Sequence, residues 1–312
     1  MSKYLVTGGA GFIGSHLTRE LAARGHEVVV LDNLSTGRKE NLADVLDAVS
    51  FREGSITDLE TVRECCRGVD CVFHQAALPS VPRSVADPLT SDEHNIGGTL
   101  RVFWGAHQEG VRRVVYAASS SVYGDTEELP KHEGMQPKPM SPYAVNKRVS
   151  ELYGNVFNNL YGLSTIGLRY FNVFGSRQDP NSQYAAVVPK FITAFLAGRS
   201  PIIHGDGLQS RDFTYIENVV EANIAACGAR PEAGGRSYNI ALGGRITVKD
   251  LCYRIRELVG TDIEPQYDES RPGDVKHSQA DVALARQYLE YAGEVDLDEG
   301  LARTVAWYKD NS

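Results

Sequence analysis

The stretch 3-KYLVTGGAGFIGSHLTRE-20 decides the fold, because an apolar strand runs directly into a glycine-rich turn and then into a helix. Gly8, Gly11 and Gly14 fit the spacing G-x-x-G-x-x-G, and Gly9 gives the alternative G-x-G-x-x-G. The pattern is weak alone, but a strand before it and a helix after it are the context that dinucleotide binding requires. Such glycines let the backbone approach a pyrophosphate, while the helix N-terminus supplies amide donors. The alternative is a glycine-rich turn without a ligand.

Beyond this stretch, apolar β-branched runs alternate with helical patterns through the first half of the chain. Strands are predicted at 3–8, 27–32, 49–54, 70–77, 112–120 and 163–172, and helices at 12–24, 58–67, 92–109 and 143–161. Continuously apolar strands in this alternation indicate a parallel sheet covered by helices on both faces. After Asn172 the chain becomes loop-rich, and 236–242 is predicted to be a late strand that can return to the first sheet.

The predicted fold class is therefore α/β, a doubly wound Rossmann parallel sheet with a smaller α+β substrate-binding lobe. We expect the NAD-binding domain to comprise residues 1–172 and about 213–242, and the second lobe to comprise 173–212 and 243–312. A chain of 312 residues is long enough for two lobes. No linker or internal repeat is evident, so the lobes should pack tightly.

Composition and charge limit the classes of partner. The chain is 42% hydrophobic and 23% charged, and its net charge of −8 argues against a nucleic-acid or anionic-membrane surface. No run approaches the roughly 20 apolar residues that cross a bilayer, and no charged leader with an apolar run is evident, so a cytoplasmic protein is expected. The five cysteines have no CxxC spacing. Buried free thiols are therefore expected, and no metal site is predicted.

Two acidic residues at predicted strand ends are candidate cofactor contacts. Asp32 ends the second strand 18 residues after Gly14, close to the expected distance of about 20. Its carboxylate can accept from both ribose hydroxyls of NAD and would repel a 2′-phosphate. Arg38 lies close by, so NADP is not excluded, but NAD is preferred. Asp58 follows the third strand and has two equal interpretations, a contact to the adenine amine or a helix N-cap.

The stretch SPYAVNK places Tyr143 and Lys147 four residues apart. The serine-proline pair before them favours a helix start, so both side chains project from the same side of its first turn. Apolar residues then recur at helical spacing: Val145, Val149, Leu152 and Val156. Taken alone, the Tyr–Lys spacing would more often belong to a surface pair of no consequence.

Three stretches together, TGGAGFIG, YAASSSVYGD and SPYAVNK, resemble the extended short-chain dehydrogenase/reductase superfamily. The similarity continues through GLRYFNVFG, SRDFTYI and RPGDVKHSQAD, so it covers nearly the whole chain. Several motifs in a fixed order make the resemblance specific. Within the superfamily the sequence is most similar to the UDP-sugar 4-epimerases, in particular to the branch that acts on UDP-N-acetylhexosamines such as UDP-N-acetylglucosamine.

The resemblance implies that Tyr143 is the acid/base and that Lys147 holds the nicotinamide ribose and lowers the phenol's pKa. A phenol with a pKa near 10 is a poor base at neutral pH, and a nearby ammonium with the positive nicotinamide favours the phenolate. Ser119 takes the position of the catalytic hydroxyl, unless the three serines merely fill a polar strand end. Ser120 and Ser121 stand where 4,6-dehydratases and decarboxylating relatives carry acidic residues, which favours simple oxidation and reduction at carbon 4.

The resemblance also implies a tightly bound, recycled NAD. Besides Tyr143 and Lys147, the residues expected to contact it are Gly8, Gly11, Phe12, Ile13, Asp32, Asn33, Ser35, Thr36, Gly37, Asp58, Gln75, Ala76, Ala77, Asn95, Tyr170 and Val173.

A UDP-sugar needs its own anchors, and the resemblance implies a second set of contacts. They are Ser80, Ser119, Ser120, Ser121, Tyr143, Asn172, Gln178, Ala186, Val187, Val188, His204, Arg211, Arg271, Asp274 and Ser278. Arg211 and Arg271 are expected to clamp the pyrophosphate, because a planar guanidinium binds phosphate oxygens bidentately. Each arginine on its own would more often be an ordinary surface charge.

Ser278 is the most informative residue for the substrate. By the resemblance, hexose-only bacterial 4-epimerases have a tyrosine there, which closes the acetamido side of the pocket, whereas a serine leaves room for an N-acetyl group. Ser80, Arg83 and Gln178 also resemble the N-acetyl-preferring branch. Pro79 departs from that branch, in which a small residue is expected.

The sequence therefore predicts an isomerase that uses NAD to invert carbon 4 of a UDP-sugar reversibly through a 4-keto intermediate, with UDP-GlcNAc and UDP-GalNAc as the exchanged pair. UDP-glucuronate or UDP-glucose is the alternative substrate, since Arg83 can pair with a carboxylate. A catalytically silent NAD-sensing regulator is a remote alternative. The resemblance further suggests a homodimer formed through helices around 92–109 and 143–161.

Overall fold

The computed structural model describes residues 1–180, 186–269 and 275–311. Its strands are β1 (Lys3–Thr7), β2 (Glu27–Asp32), β3 (Ser50–Glu53), β4 (Cys71–His74), β5 (Arg113–Ser119), β6 (Ser164–Tyr170), β7 (Val173–Phe174), β8 (Ile202–His204), β9 (Ser210–Arg211), β10 (Thr214–Tyr215), β11 (Arg236–Ile240), β12 (Ile246–Thr247) and β13 (Gln266–Asp268). Its α-helices are α1 (Phe12–Ala23), α2 (Leu59–Cys66), α3 (Val81–Ala86), α4 (Pro88–Asp92), α5 (Thr99–Gln108), α6 (Pro142–Tyr161), α7 (Val187–Leu196), α8 (Ile216–Gly228), α9 (Val248–Val259), α10 (Ala283–Leu289) and α11 (Leu297–Asp310).

Seven strands form one sheet in the order β11-β6-β5-β4-β1-β2-β3, and every neighbouring pair is parallel. Strands β2 and β3 lie on one side of β1, and β4, β5, β6 and β11 lie on the other. The strand order therefore reverses between β1 and β4, which makes this the topological switch point of the sheet. In open α/β sheets, ligands bind outside the carboxyl ends of the strands at such a point. The glycine turn after β1, Gln75 after β4 and Ser119 at the end of β5 all lie at this edge.

Helices cover both faces of the sheet, as the apolar strands predict. Leu5 and Val6 are neighbours on β1 and are both fully buried, which places them on opposite faces. Leu5 belongs to an apolar cluster with Phe103 of α5, and Val6 to a cluster with Leu17 of α1 and Val219 of α8. The two clusters are the cores of the two helical layers.

The predicted Rossmann class is confirmed. All six strands predicted in the first half lie in the large sheet, and the predicted late strand is β11, which pairs with β6. Three two-stranded sheets, β7 with β10, β8 with β13 and β9 with β12, accompany the helices of the later part of the chain. The return of β11 supports the assignment of 213–242 to the first lobe; the boundaries given for the two lobes stay a prediction.

Helix α6 begins where the sequence predicts, but its apolar stripe faces outward. Ser141 Oγ accepts the amide of Ala144 at 3.2 Å and so caps the helix. The residues that gave the apolar periodicity include Val145, Leu152 and Val156, whose exposed fractions are 44%, 50% and 40%. The inward face carries smaller, polar or charged residues together with one phenylalanine: Ala144, Asn146, Lys147, Ser150, Glu151, Gly154 and Phe157.

All five cysteines are buried and free of disulfide bonds, as expected. Across the described residues, no three His, Cys, Asp or Glu side chains are grouped as a metal site would require. In the same part of the chain, no helix combines the length and the apolarity needed to cross a membrane.

Candidate active site

The glycine turn between β1 and α1 is too tight for side chains at two positions. Gly8 has φ +69°, and a Cβ there would lie 2.6 Å from the amide nitrogen of Ala76. A Cβ on Gly14 would lie 2.1 Å from the carbonyl oxygen of Gly8. Gly11 precedes Phe12 and Ile13 in the first turn of α1, and this turn has no capping side chain and no acidic residue. Its amides and positive helix end therefore suit an anionic group such as a pyrophosphate.

Asp32 lies at the end of β2 and is 7% exposed. One carboxylate oxygen accepts the amide of Ala10 at 2.9 Å and the other accepts the amide of Leu34 at 2.8 Å. Burial raises the pKa of Asp32, and the two amide hydrogen bonds oppose that shift. A carboxylate has about four lone-pair positions, so acceptor capacity remains for ribose hydroxyls. The turn and this carboxylate together fit the adenosine and diphosphate parts of NAD.

A polar chain joins the ends of β4 and β6 to α8. The Gln75 side-chain amide donates to Asn223 Oδ1 at 2.9 Å, and Tyr170 Oη donates to Gln75 Oε1 at 3.2 Å. Asn223 Nδ2 in turn lies 2.9 Å from Tyr170 Oη. Sequence analysis found Gln75 and Tyr170 but missed Asn223, because 148 residues separate it from Gln75 and no local motif marks it.

His74 at the end of β4 is a second residue that sequence analysis missed. Its Nδ1 lies 2.7 Å from Thr7 Oγ1, and its Nε2 lies 3.0 Å from Thr99 Oγ1. Burial lowers the pKa of His74 to about 3, so the ring is neutral at physiological pH. Thr7 Oγ1 also accepts the amide of Ala76 at 3.3 Å. This network fixes the ends of β1 and β4 on either side of the switch point.

Three of the predicted cofactor residues use their side chains in hydrogen bonds to the protein backbone. Asn95 is buried and holds the backbone of Leu78 through both a donated and an accepted hydrogen bond, at 3.1 and 2.8 Å. Asp58 caps α2, which is one of the two roles that the sequence left open. Asn33 Oδ1 accepts the amide of Ser35 at 3.1 Å. The remaining predicted residues lie on the same edge, with Thr36 and Gly37 after β2, Ala77 after β4 and Val173 in β7.

Tyr143, Lys147 and Ser119 come together where α6 crosses the end of β5. The Lys147 ammonium lies 5.8 Å from the centroid of the Tyr143 ring and donates to the carbonyl oxygen of Ala117 at 2.7 Å. The Ser119 hydroxyl lies close enough to the Tyr143 phenol to lower its pKa. The backbone of Tyr143 is fixed as well, because its amide donates to Ser84 Oγ at 3.0 Å. The structure thus assembles the predicted acid/base, lysine and hydroxyl at one point.

The electrostatics of this group differ from the expectation of an acidified phenol. In the protein alone, burial raises the pKa of Tyr143 above its usual value, and the Ser119 hydroxyl beside it opposes this shift. Burial also lowers the pKa of Lys147 to about 8, against the attraction of Glu151. The chain by itself therefore favours a neutral phenol, and an acidic one needs the positive charge of the oxidised nicotinamide nearby.

The serine loop after β5 contains an unsatisfied hydroxyl. Ser119 Oγ accepts the amide of Ser121 at 3.2 Å, while Ser121 Oγ is buried without a hydrogen-bond partner among the described residues. Leaving a buried hydroxyl unpaired costs free energy, so such a group is a candidate contact for a ligand. Ser120 between them is partly exposed.

A buried ion pair that the sequence did not reveal supports this loop. Glu151 lies one turn after Lys147 on α6 and accepts two hydrogen bonds from Arg169 of β6, at 2.6 and 2.8 Å. Arg169 also donates to Tyr123 Oη at 2.8 Å, and Tyr123 lies two residues after the last of the three serines. The pair therefore connects α6, β6 and the serine loop close to Tyr143, Lys147 and Ser119.

Three of the predicted sugar-nucleotide residues lie around β9. Arg211 donates to the carbonyl oxygens of Ser210 and Lys276 at 3.0 and 3.2 Å. Ser278 is 6% exposed, and its amide donates to the carbonyl oxygen of Ser210 at 3.0 Å. Asn172 lies nearby, because its side-chain amide donates to the carbonyl oxygen of Asp212 at 2.9 Å. The structure thus brings Arg211, Ser278 and Asn172 into one region.

Asp212 organises that region and was missed by sequence analysis. Its buried carboxylate accepts the backbone amides of Leu242, Gly243 and Ala280 at 3.2, 3.0 and 3.1 Å. Burial raises the pKa of Asp212 to about 6, although these three amide bonds oppose the shift. The carboxylate holds β9 against the segment that carries Ser278.

The other predicted substrate residues are more dispersed. Ser80 has φ +106°, an unusual angle for a residue with a side chain, and its hydroxyl caps α3. Gln178 donates to the carbonyl oxygen of Val173 at 3.1 Å, and its Oε1 is buried without a partner among the described residues. His204 contacts Glu269 across β8 and β13. Ala186, Val187 and Val188 form the start of α7, and Arg271 and Asp274 lie outside the described residues.

Fold and site together define a dinucleotide-dependent catalyst of the short-chain dehydrogenase/reductase type. The sequence pattern of the NAD dependent epimerase/dehydratase family matches residues 4–241, and the chain belongs to this family. The predicted NAD cofactor and the predicted resemblance to UDP-sugar 4-epimerases are thereby confirmed.

Similar proteins are known at full length. The chain is 41% identical over 312 residues to a UDP-glucose 4-epimerase of Mycolicibacterium smegmatis, and the match covers 99% of both proteins. It superposes with a TM-score of 0.93 on the structure of UDP-N-acetylglucosamine 4-epimerase from Methanobrevibacter ruminantium M1 in complex with UDP-N-acetylmuramic acid, at 39% identity over 100% of this chain and 99% of the other. The TM-score is 0.94 with UDP-glucose 4-epimerase from Thermotoga maritima with UDP-glucose, at 37% identity over 99% of each chain.

Proposed function

We propose that this protein reversibly epimerises carbon 4 of a UDP-sugar, with UDP-GlcNAc and UDP-GalNAc as the exchanged pair. The observation that carries the reaction type is the grouping of Tyr143, Lys147 and Ser119 at the NAD-binding edge. Ser120 and Ser121 are neutral, so this loop has no carboxyl group for the elimination of water from a neighbouring carbon. Oxidation followed by reduction at carbon 4 is the chemistry that this set of side chains supports.

In this proposal the roles of the side chains follow from their positions. When bound, NAD supplies the reversible two-electron oxidation of carbon 4. Tyr143 takes the proton of the 4-hydroxyl and later returns it, and Ser119, whose hydroxyl lies beside the phenol, orients that hydroxyl. Lys147 keeps a positive charge beside the phenol, and Ala117 fixes the position of its ammonium.

Arg211 is the proposed anchor for the diphosphate, and Arg271 and Asp274 are proposed to share this task. Tight binding of the diphosphate is compatible with a sugar ring that rotates to present its other face between oxidation and reduction. The Arg211 guanidinium is positioned by two carbonyl oxygens and carries a permanent positive charge. The buried unpaired hydroxyl of Ser121 is the proposed contact to the sugar.

The preference for N-acetylated sugars rests on Ser278. Ser278 is buried next to β9, and a serine has less volume than the tyrosine expected in hexose-only enzymes, so we infer that an acetamido group can be accommodated there. The likeness to the UDP-N-acetylglucosamine 4-epimerase structure supports the same choice. UDP-glucose is the second candidate, because the relatives from Mycolicibacterium smegmatis and Thermotoga maritima carry that name.

The deciding experiment supplies NAD-loaded protein with UDP-GlcNAc, UDP-glucose and UDP-glucuronate in separate reactions, and follows the 4-epimers by chromatography. We expect UDP-GalNAc to form without an added electron acceptor, and we expect the highest kcat/KM for the N-acetylated pair. A higher kcat/KM for UDP-glucose would reject the N-acetyl preference. No epimer from any of the three would reject the reaction itself.

We also propose that the protein is a homodimer formed through α6 and its neighbours. The exposed apolar stripe of α6 continues through Leu160, which is 76% exposed. Val85 of α3 and Leu89 of α4 add exposed fractions of 63% and 82%. Several large apolar side chains exposed on α6 and on the helices packed against it favour a protein–protein interface there.

A further inference from the structure

Residues 176–179 follow β7, and each of the four contacts a different part of the molecule. We refer to these four residues as the strap. The contacts are Ser176 to His16 of α1, Arg177 to Asp44, Gln178 to Tyr308 of α11, and Asp179 to Arg38. Three of these partners lie in α1 or in the connection between β2 and β3, and the fourth lies in the C-terminal helix α11. The strap therefore runs across the first lobe on the side of α1 and the loop after β2.

Arg38 is the partner that bears on the cofactor. Its amide donates to the carbonyl oxygen of Ala10 at 2.9 Å, and a Cβ on Gly37 would lie 2.9 Å from both carboxylate oxygens of Asp32. The loop 33–38 thus closes around the carboxylate that is suited to the ribose hydroxyls. A 2′-phosphate on that ribose would enter this loop, and an arginine nearby is what NADP-binding sheets use to accommodate it.

The guanidinium of Arg38 is already engaged. Its Nη2 lies 2.8 Å from Asp179 Oδ2, with side-chain exposures of 55% and 32%. We propose that Asp179 is a specificity-determining residue for the cofactor, since it neutralises Arg38 and places a second carboxylate beside the loop of Asp32, which excludes the 2′-phosphate of NADP. An ion pair that is this exposed adds little to the stability of the fold. It can still determine specificity, because specificity is the difference between the binding free energies of NAD and NADP, which differ by one phosphate.

The test is a competition that does not depend on turnover. Purified protein is incubated with NAD and NADP in equal excess until the bound ratio is constant, and the retained nucleotide is measured by mass spectrometry after desalting. The wild type should retain almost only NAD. Asp179→Asn should raise the retained NADP share by about tenfold or more, because the released Arg38 then meets the added phosphate.

Two variants separate this role from a general loosening of the strap. Arg177→Gln breaks the pair with Asp44 and leaves the pair between Arg38 and Asp179 intact, so it should keep the wild-type ratio. The double variant Arg38→Gln with Asp179→Asn should return the NADP share towards the wild-type value. An unchanged ratio in Asp179→Asn, or an equal change in Arg177→Gln, would overturn the proposal.

A second measurement covers the case in which Asp179→Asn retains neither nucleotide. Binding of AMP and of 2′-AMP to the desalted variant is then compared by calorimetry with the wild type, whose bound nucleotide has been removed in the same way. A relative gain for 2′-AMP supports the assignment, and the same preference as in the wild type contradicts it.

Discussion

At the scale of single residues, the phenol of Tyr143 is the group on which the proposed chemistry depends. Tyr143→Phe removes the proton acceptor and keeps the ring, so we expect turnover to fall by about 10²–10⁴-fold. The NAD content should stay unchanged, because the glycine turn and Asp32 are untouched. Epimer formation and released cofactor are measured on the same preparation. Turnover close to the wild-type rate would show that another group moves the proton.

The low pKa of Lys147 has a consequence for stability. Burial lowers this pKa to about 8, whereas an unfolded lysine has its ordinary value near 10.5. Between these values the unfolded chain binds more protons, so this residue makes the free energy of unfolding rise with pH. We expect the stability of the wild type relative to Lys147→Met to increase from pH 8 to pH 10 in urea unfolding. A difference that stays flat or falls with pH would contradict the direction of the shift.

Ser278 is the residue at which substrate preference can be changed. Ser278→Tyr introduces a large aromatic side chain at a 6% exposed position beside β9, where the proposal places the acetamido group. We therefore expect kcat/KM for UDP-GlcNAc to fall by about tenfold or more, while kcat/KM for UDP-glucose changes less. Ser278→Ala serves as the control, because it removes the hydroxyl without adding volume. Equal losses for both sugars in Ser278→Tyr would argue against a role in selecting the acetamido group.

At the scale of elements, the ion pair between α6 and β6 should carry more stability than its surface neighbour. Glu151→Ala leaves Arg169 buried without its carboxylate, and such a loss costs about 3–5 kcal/mol. Arg148→Gln removes the other, partly exposed partner of Glu151 and should cost less than about 1 kcal/mol. Both values come from urea unfolding of the full chain. Similar decreases in the free energy of unfolding for the two variants would show that the buried pair contributes no more to stability than the exposed one.

The same two elements show what the sequence can and cannot predict. The β1–α1 unit was predictable because its glycines, apolar strand and helix start are all local. Helix α6 was predictable in its bounds but not in its orientation, since periodicity defines an apolar stripe and does not say whether the sheet or a partner covers it. Arg169 contacts Tyr123 across 46 residues and Asn223 contacts Gln75 across 148, and no motif or spacing rule in the sequence relates these pairs.

At the scale of the whole molecule, the proposed dimer makes a direct prediction. Leu152→Glu places a charge in the middle of the exposed α6 stripe, so we expect the dimer to dissociate to a monomer. Leu258→Glu is the matched control, because it introduces the same charge at a 37% exposed leucine on α9. Light scattering coupled to size exclusion gives both masses. A dimeric Leu152→Glu protein, or a monomeric wild type, would place the interface elsewhere or remove it.

The position of β11 at the end of the sheet has a consequence for how the chain can be divided. A break in the gene after β7 would separate β6 from the only strand that covers its outer edge among the described residues. The upstream fragment would then expose a row of unpaired backbone groups, which favours self-association into insoluble material. Co-expressed halves should reconstitute each other, whereas neither should accumulate as a folded product on its own.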